Sequence, residues 1–257
     1  NSQAGKIKAG EVIGGCVGTY NPISGVKCVR EDYNYSSILD LSCSFGAAPT
    51  NTNAYCIQPR YSNWFLYHEP DLGDVPILYK IDGNNIVIGS SIDVNGYPHT
   101  DEGAASEDGS IFVFRSDSMN FTIIRHSEGT IINRTDVSTE QAPQGNVIGS
   151  PDVKNIDVNR LGDKIIVHCD DGANAIAQYS YNGSSATIVN WLYPQVPEGQ
   201  RIVDIKYVGH DGLEKVLVLT TNDDYNNPQS SVILLDPISG NNDDYYNYNS
   251  KTNDPDM

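Results

Sequence analysis

Short runs of β-branched and aromatic residues alternate along this chain with clusters of Gly, Asn, Asp and Pro, while apolar positions at helical spacing are nearly absent. That rhythm predicts short strands joined by tight turns. The clearest units are paired. Residues 75–81 turn at Asp82-Gly83-Asn84-Asn85 into 86–89, and Asp-Gly followed by Asn-Asn supplies the positive-φ positions of a tight hairpin. Residues 110–115 lead to 120–125, and 164–168 lead to 175–181. From there Asn182-Gly183 turns the chain into 186–191. Residues 201–208, 215–220 and 231–236 complete the series.

These units recur at roughly 45 residues, the spacing of propeller blades. In GDKIIVHCDDG and EKVLVLTTND a strand leads through a polar turn to a further strand. Between residues 60 and 240 the rhythm resembles that of secreted β-propeller repeat proteins. The resemblance implies an all-β, propeller-like array of antiparallel hairpins, and a β-sandwich is the alternative with much the same pattern. There is no Trp-Asp dipeptide and no kelch di-glycine. The stretch Ser106-Glu-Asp-Gly-Ser-Ile-Phe112 is similar to a sialidase Asp-box, but it lacks one spacer residue and the Trp, so it implies no activity.

Three regions follow from composition: a cysteine-bearing segment over 1–60, a main β domain over 61–240, and an acidic Asn/Tyr-rich tail over 241–257. Cys16, Cys28, Cys43 and Cys56 cluster early, with no C-x2-C spacing and no His among them. Disulfides are therefore expected over zinc, and Cys16–Cys28 and Cys43–Cys56 staples would each contribute about 2–3 kcal/mol. Cys169 lies in an apolar run and reads as a buried small hydrophobe. The tail is expected to be extended or disordered, or to pair with a neighbouring molecule. A chain that opens on Asn1 and lacks a basic-then-apolar leader reads as a processed product, and no apolar run is long enough to span a membrane as a helix.

Charge narrows the partners. With 16 Lys+Arg against 33 Asp+Glu the formal charge is −17, which repels nucleic-acid backbones and anionic membranes. Cations are attracted, above all Ca²⁺, which favours oxygen ligands. Asp93, Asn95, Asp101 and Glu102 space such donors across one turn, and Asp223 and Asp224 crowd another. Both are also ordinary polar turns.

Aromatic side chains offer contact surface. Trp64 and Tyr67, and Trp191 and Tyr193, could stack on sugar rings, while core packing is the competing role of both tryptophans. Strand alternation would set Trp64 and Leu66 on one face, with Phe65 and Tyr67 on the other. His68, His99, His126, His168 and His210 are scattered, and no nucleophile–base or metal trio occurs at working spacing.

These features point to an extracellular or cell-surface binding or adhesion protein, without catalysis, that meets a protein or glycan partner. A self-assembling subunit of a filament or coat and a secreted glycan-active hydrolase are the alternatives. If the acidic loops hold Ca²⁺, a chelator lowers the melting temperature; an unchanged melting curve removes the metal from the account.

Overall fold

The computed structural model describes residues 55–68, 75–83, 85–93, 99–143, 151–170, 174–209, 213–222, 229–240 and 242–249. The chain divides into two units, Asn1–Thr50 and Asn51–Met257, and the described residues all belong to the second.

They form four antiparallel four-stranded sheets, each a simple meander. The first blade holds β1 (Tyr55–Ile57), β2 (Trp64–His68), β3 (Ile77–Asp82) and β4 (Asn85–Ser91). The second holds β5 (His99–Ala105), β6 (Ile111–Asp117), β7 (Asn120–Ser127) and β8 (Thr130–Ser138). The third holds β9 (Asp152–Val158), β10 (Lys164–Asp170), β11 (Ile176–Tyr181) and β12 (Ala186–Leu192). The fourth holds β13 (Arg201–Val208), β14 (Lys215–Thr221), β15 (Gln229–Leu235) and β16 (Asn242–Asn249). The first strands lie side by side in the order β1, β5, β9, β13, so each meander runs outward from a shared inner edge. This is the expected propeller-like array, not the sandwich. No helix among the described residues is long and apolar enough to cross a membrane.

The apolar runs explain the stacking. A middle strand of the second or third blade is covered by a neighbouring blade on each face, so both sets of alternating side chains must be apolar. In β6, Phe112 and Phe114 join Trp64, Leu66 and Leu78 between the first and second blades, while Val113 points the other way. Val113, Phe121 and Ile123 meet Ile165, Val167 and Tyr179 between the second and third. Ile166 then faces the fourth blade, with Ile205, Val218 and Ile233. Each such side chain contributes about 1.5–3 kcal/mol on burial. Outer strands face solvent on one side and read as mixed: β8 alternates exposed and half-buried positions.

Sequence expectation and structure part in three places. A boundary at residue 60 would cut the first blade, because β1 pairs with β2 in the register Cys56↔Tyr67. The supposed tail supplies β16, which pairs with β15 of its own chain through Val232↔Tyr246; a neighbouring molecule is not needed to order it. Cys56 is a free thiol, so the disulfide expected of it is not formed with any of the early cysteines. Ile57 enters the core, and strand alternation turns Cys56 the opposite way, onto a cavity. Cys16, Cys28 and Cys43 lie outside the described residues. Cys169 is buried in the core as expected.

The turns after β5 and β9 each press a glycine against the preceding blade. Gly109 donates its amide to Ser106 O and Gly162 its amide to Asn159 O, both at 3.0 Å, and both glycines have positive φ. A Cβ on Gly162 would lie 2.6 Å from Ile111 Cγ1 in the preceding blade. Gly162→Ala should therefore combine backbone strain with a clash and destabilise by about 2–4 kcal/mol. Gly83 has φ +62 and nothing within 4 Å, so Gly83→Ala should cost only about 1 kcal/mol. Equal losses in denaturant titrations would contradict a close blade-to-blade fit at Gly162.

Candidate functional site

The inner turns converge at one end of the inner strands, and a backbone relay ties them together. The Tyr61 amide donates to Glu107 O at 2.9 Å, and the Glu107 amide donates to Arg160 O at 3.0 Å. Three blades are thereby linked through equivalent turn positions. Side chains repeat the link with alternating sign. The Glu107 carboxylate, 16% exposed, lies 3.6 Å from Arg60 and pairs with Arg160.

The third and fourth blades are joined by a different device. Glu214 accepts from Lys164 Nζ at 2.6 Å and from Asn159 Nδ2 at 2.7 Å, and Asn159 Oδ1 accepts the amides of Asp163 and Lys164. Burial works to raise the Glu214 carboxyl, but the bonds from Lys164 and Asn159 and the lysine charge outweigh it, so it sits below its ordinary value. Asp157 is the opposite case. Burial pushes its carboxyl up to about 6, against the nearby Lys206 charge and an amide bond from Tyr207 at 2.6 Å.

These groups wall a cavity of about 600 Å³ that draws Gln58, Glu107, Asp157 and Lys206 from the four blades. The Cys56 thiol opens onto it, yet the surrounding wall desolvates the thiolate and pushes the thiol up to about 11, so it is a poor nucleophile near neutrality. A second cavity, of about 630 Å³, lies by the beginnings of β9 and β13 and includes Glu102, Lys154, His168 and Arg201. Here Glu102 meets Arg115 Nη1 at 2.5 Å, and His168 Nδ1 is 3.1 Å from Asn155 Oδ1.

A third cavity, of about 320 Å³, is a groove between the first two blades that includes Tyr61, Trp64, Lys80, Asp108 and Glu128. His126 forms part of its floor. Its Nδ1 accepts the Gly129 amide at 3.2 Å, which leaves Nε2 to donate to Gly109 O at 2.7 Å. Burial lowers its pKa despite the Gly109 bond and the Asp108 and Glu128 charges. The residue is a neutral strut between two turns. The Asp-box-like stretch is likewise a turn: Asp108 Oδ1 accepts the hydroxyls of Ser106 and Ser110 and the Ser110 amide.

The residues singled out from sequence are scattered. Trp64 is 7% exposed and packs edge-on to His126, so core packing is its main role. Tyr67 contacts Tyr79 on the other face of β2, as strand alternation requires. Trp191 packs against the core between the second and third blades, and Tyr193 follows β12 half-buried; both stand in a different blade from Trp64 and Tyr67. Of the candidate metal ligands, Asp93 is exposed after β4, and Glu102 is held by Arg115. Asp101 is described only as backbone of β5, and Asn95, Asp223 and Asp224 lie outside the described residues. Among the described residues no group of three or more His, Cys, Asp or Glu converges on a metal position.

Sequence reasoning missed Glu107, Asp157, Arg160 and Glu214. One signal was present: Glu107-Asp-Gly109 and Arg160-Leu-Gly162 place opposite charges two residues before each turn glycine.

Comparison with known proteins agrees with this fold. No protein-family model and no curated protein matches the chain. Among solved structures, Kuenenia stuttgartiensis hydrazine synthase superposes with a TM-score of 0.52 at 14% identity, over 79% of this chain and 52% of that one. The β-propeller domain of Cps50 (Swd1) from Myceliophteria thermophila gives 0.48 at 12% identity, over 72% and 55%. Apo AztD from Citrobacter koseri gives 0.48 at 10%, over 72% and 44%. The chain thus spans about half the length of the solved chains it matches. At such identities the likeness concerns fold alone; the class, an all-β, propeller-like repeat protein, rests on the four four-stranded meanders described above.

The Asp157 carboxyl gives a signed prediction. An acid whose folded pKa is raised stabilises the fold below its unfolded value near 3.8, and that contribution is lost as pH rises through about 6. Asp157→Asn should therefore gain on the order of 2 kcal/mol over the parent at pH 7.5, a gain that vanishes near pH 3.5. Urea titrations at the two pH values check this, and a pH-independent difference would contradict it.

Proposed function

We propose that this chain is a non-catalytic binding module of the cell exterior, which presents the inner-turn end of its array to a protein or glycan partner. The observation that carries the reading is how the 600 Å³ cavity is built. Its wall comes from all four blades; Glu107 and Asp157 are held there by Arg160 and Tyr207 of the same wall, and Glu214 is held by Lys164 and Asn159 of the third blade. Groups fixed before a ligand arrives lose little freedom on binding, which favours recognition. Abundant Tyr with Asn, Ser and Gly suits contact surfaces, and the net charge of −17 favours solubility.

One observation favours a second reading, a glycan-active hydrolase. A carboxyl that keeps its proton to about pH 6 sits in a cavity with two further carboxylates, Glu107 and Glu214, and acid–base pairs in glycosidases are made from such groups.

One experiment separates the two. The labelled 257-residue chain is applied to intact cells and to a glycan array, and the glycans are then analysed by mass spectrometry. Saturable binding with every glycan recovered intact is expected. Shortened glycans that disappear with Asp157→Asn would establish the hydrolase instead. No binding to either surface would sink the binding reading.

A further inference from the structure

We infer that the groove between the first two blades is a binding site for a neutral pyranose, with Tyr61 as the ring on which the sugar stacks. The inference rests on the reading of the chain as a binding module and assigns a ligand class to a second site, separate from the 600 Å³ cavity. Tyr61 is 62% exposed, in contrast with the buried Trp64. The Arg60 guanidinium covers one face of its ring, 5.0 Å from the centroid, and the sugar would stack on the other. A sugar presents a C–H-rich face to such a ring and hydroxyls around its edge, so it needs aromatic surface and short polar groups together.

The groove supplies both. Ser110 and Ser127 hydroxyls, the Lys80 ammonium and the carboxylates of Asp108 and Glu128 all line it, a mixture of donors and acceptors that suits hydroxyls, which play either role. Lys80 is steadied from two sides, 5.8 Å from the centroid of Trp64 and 3.7 Å from Glu128. Its floor is rigid, since both nitrogens of His126 are committed to turn backbones. A volume of about 320 Å³ is at the lower end for ligand cavities, about 300–1,000 Å³, and suits one or two sugar rings.

Charge selects among sugars. Lys80 is already paired with Glu128, and Arg60 with Glu107 outside the groove, so a uronate or sialate would meet the Asp108 carboxylate, a repulsion that an uncharged hexose does not face.

Amide chemical-shift titration of the 257-residue chain tests this with methyl glycosides of glucose, galactose and mannose, and with glucuronate, at neutral pH. Saturable shifts at the Ser62, Ser110 and Gly129 amides are expected from at least one neutral glycoside at millimolar concentration, with glucuronate weaker. Tyr61→Ala should weaken that binding about tenfold while Tyr61→Phe keeps it, since stacking needs the ring and not the hydroxyl. Both variants should stay folded because the side chain is exposed. Absence of saturable shifts there, unchanged binding by Tyr61→Ala, or tighter binding of glucuronate would each overturn the assignment. Should the chain nevertheless bind cell surfaces, only the groove assignment fails; should it bind neither, the binding reading fails with it.

Discussion

Two amide hydrogen bonds, Tyr61 to Glu107 and Glu107 to Arg160, fix the inner turns of the first three blades against one another, and the cavities at that end depend on this alignment. Apolar burial brings the blades together, but it is non-directional and would tolerate sliding of one flat face over another. A backbone hydrogen bond weakens steeply when its distance and angle depart from narrow ranges. The relay therefore converts a general attraction into a defined alignment. Glycines at the same turns permit the approach: Gly109 comes against Ser62 and Pro59, and Gly162 against Ile111 and Ser106.

The charges at these turns follow the relay. Arg60, Glu107 and Arg160 alternate in sign from blade to blade. Partly exposed ion pairs contribute little to stability, but they determine where each charge sits on the cavity wall. The protein is strongly acidic as a whole, yet Glu107 and Glu214 at this end are matched by Arg160 and Lys164. Asp157, although beside Lys206, is sufficiently desolvated that its carboxyl is pushed up to about 6. The groove at Tyr61 belongs to the same framework, since its floor hangs from the turns through His126.

Much of the fold was legible because middle strands announce themselves. Runs such as Ile111-Phe-Val-Phe114 and Ile165-Ile-Val167 are apolar on both faces, and only a strand packed between two sheets needs that. Inner and outer strands gave weaker signals. β5 is His-Thr-Asp-Glu-Gly-Ala-Ala and β16 is Asn-Asp-Asp-Tyr-Tyr-Asn-Tyr-Asn; polar composition disguised both, and backbone pairing overrode it. The candidate site was less legible. Aromatic residues stand out in a sequence, but the run from Tyr61 to Tyr67 does not reveal that Trp64 is buried and Tyr61 exposed. Asp157 and Glu214 are ordinary in sequence. Their character arises when β9, β13 and the turn before β14 meet, and contacts some fifty residues apart leave no local pattern.

Native-state hydrogen exchange at the Tyr61 and Glu107 amides tests the account most directly. If the relay sets the alignment of the blades, both amides exchange only through global opening, with protection equal to that of core amides such as Ile166. Rapid exchange of either amide while the core stays protected would show that the inner turns move independently. The cavity wall would then not be fixed in advance of its ligand.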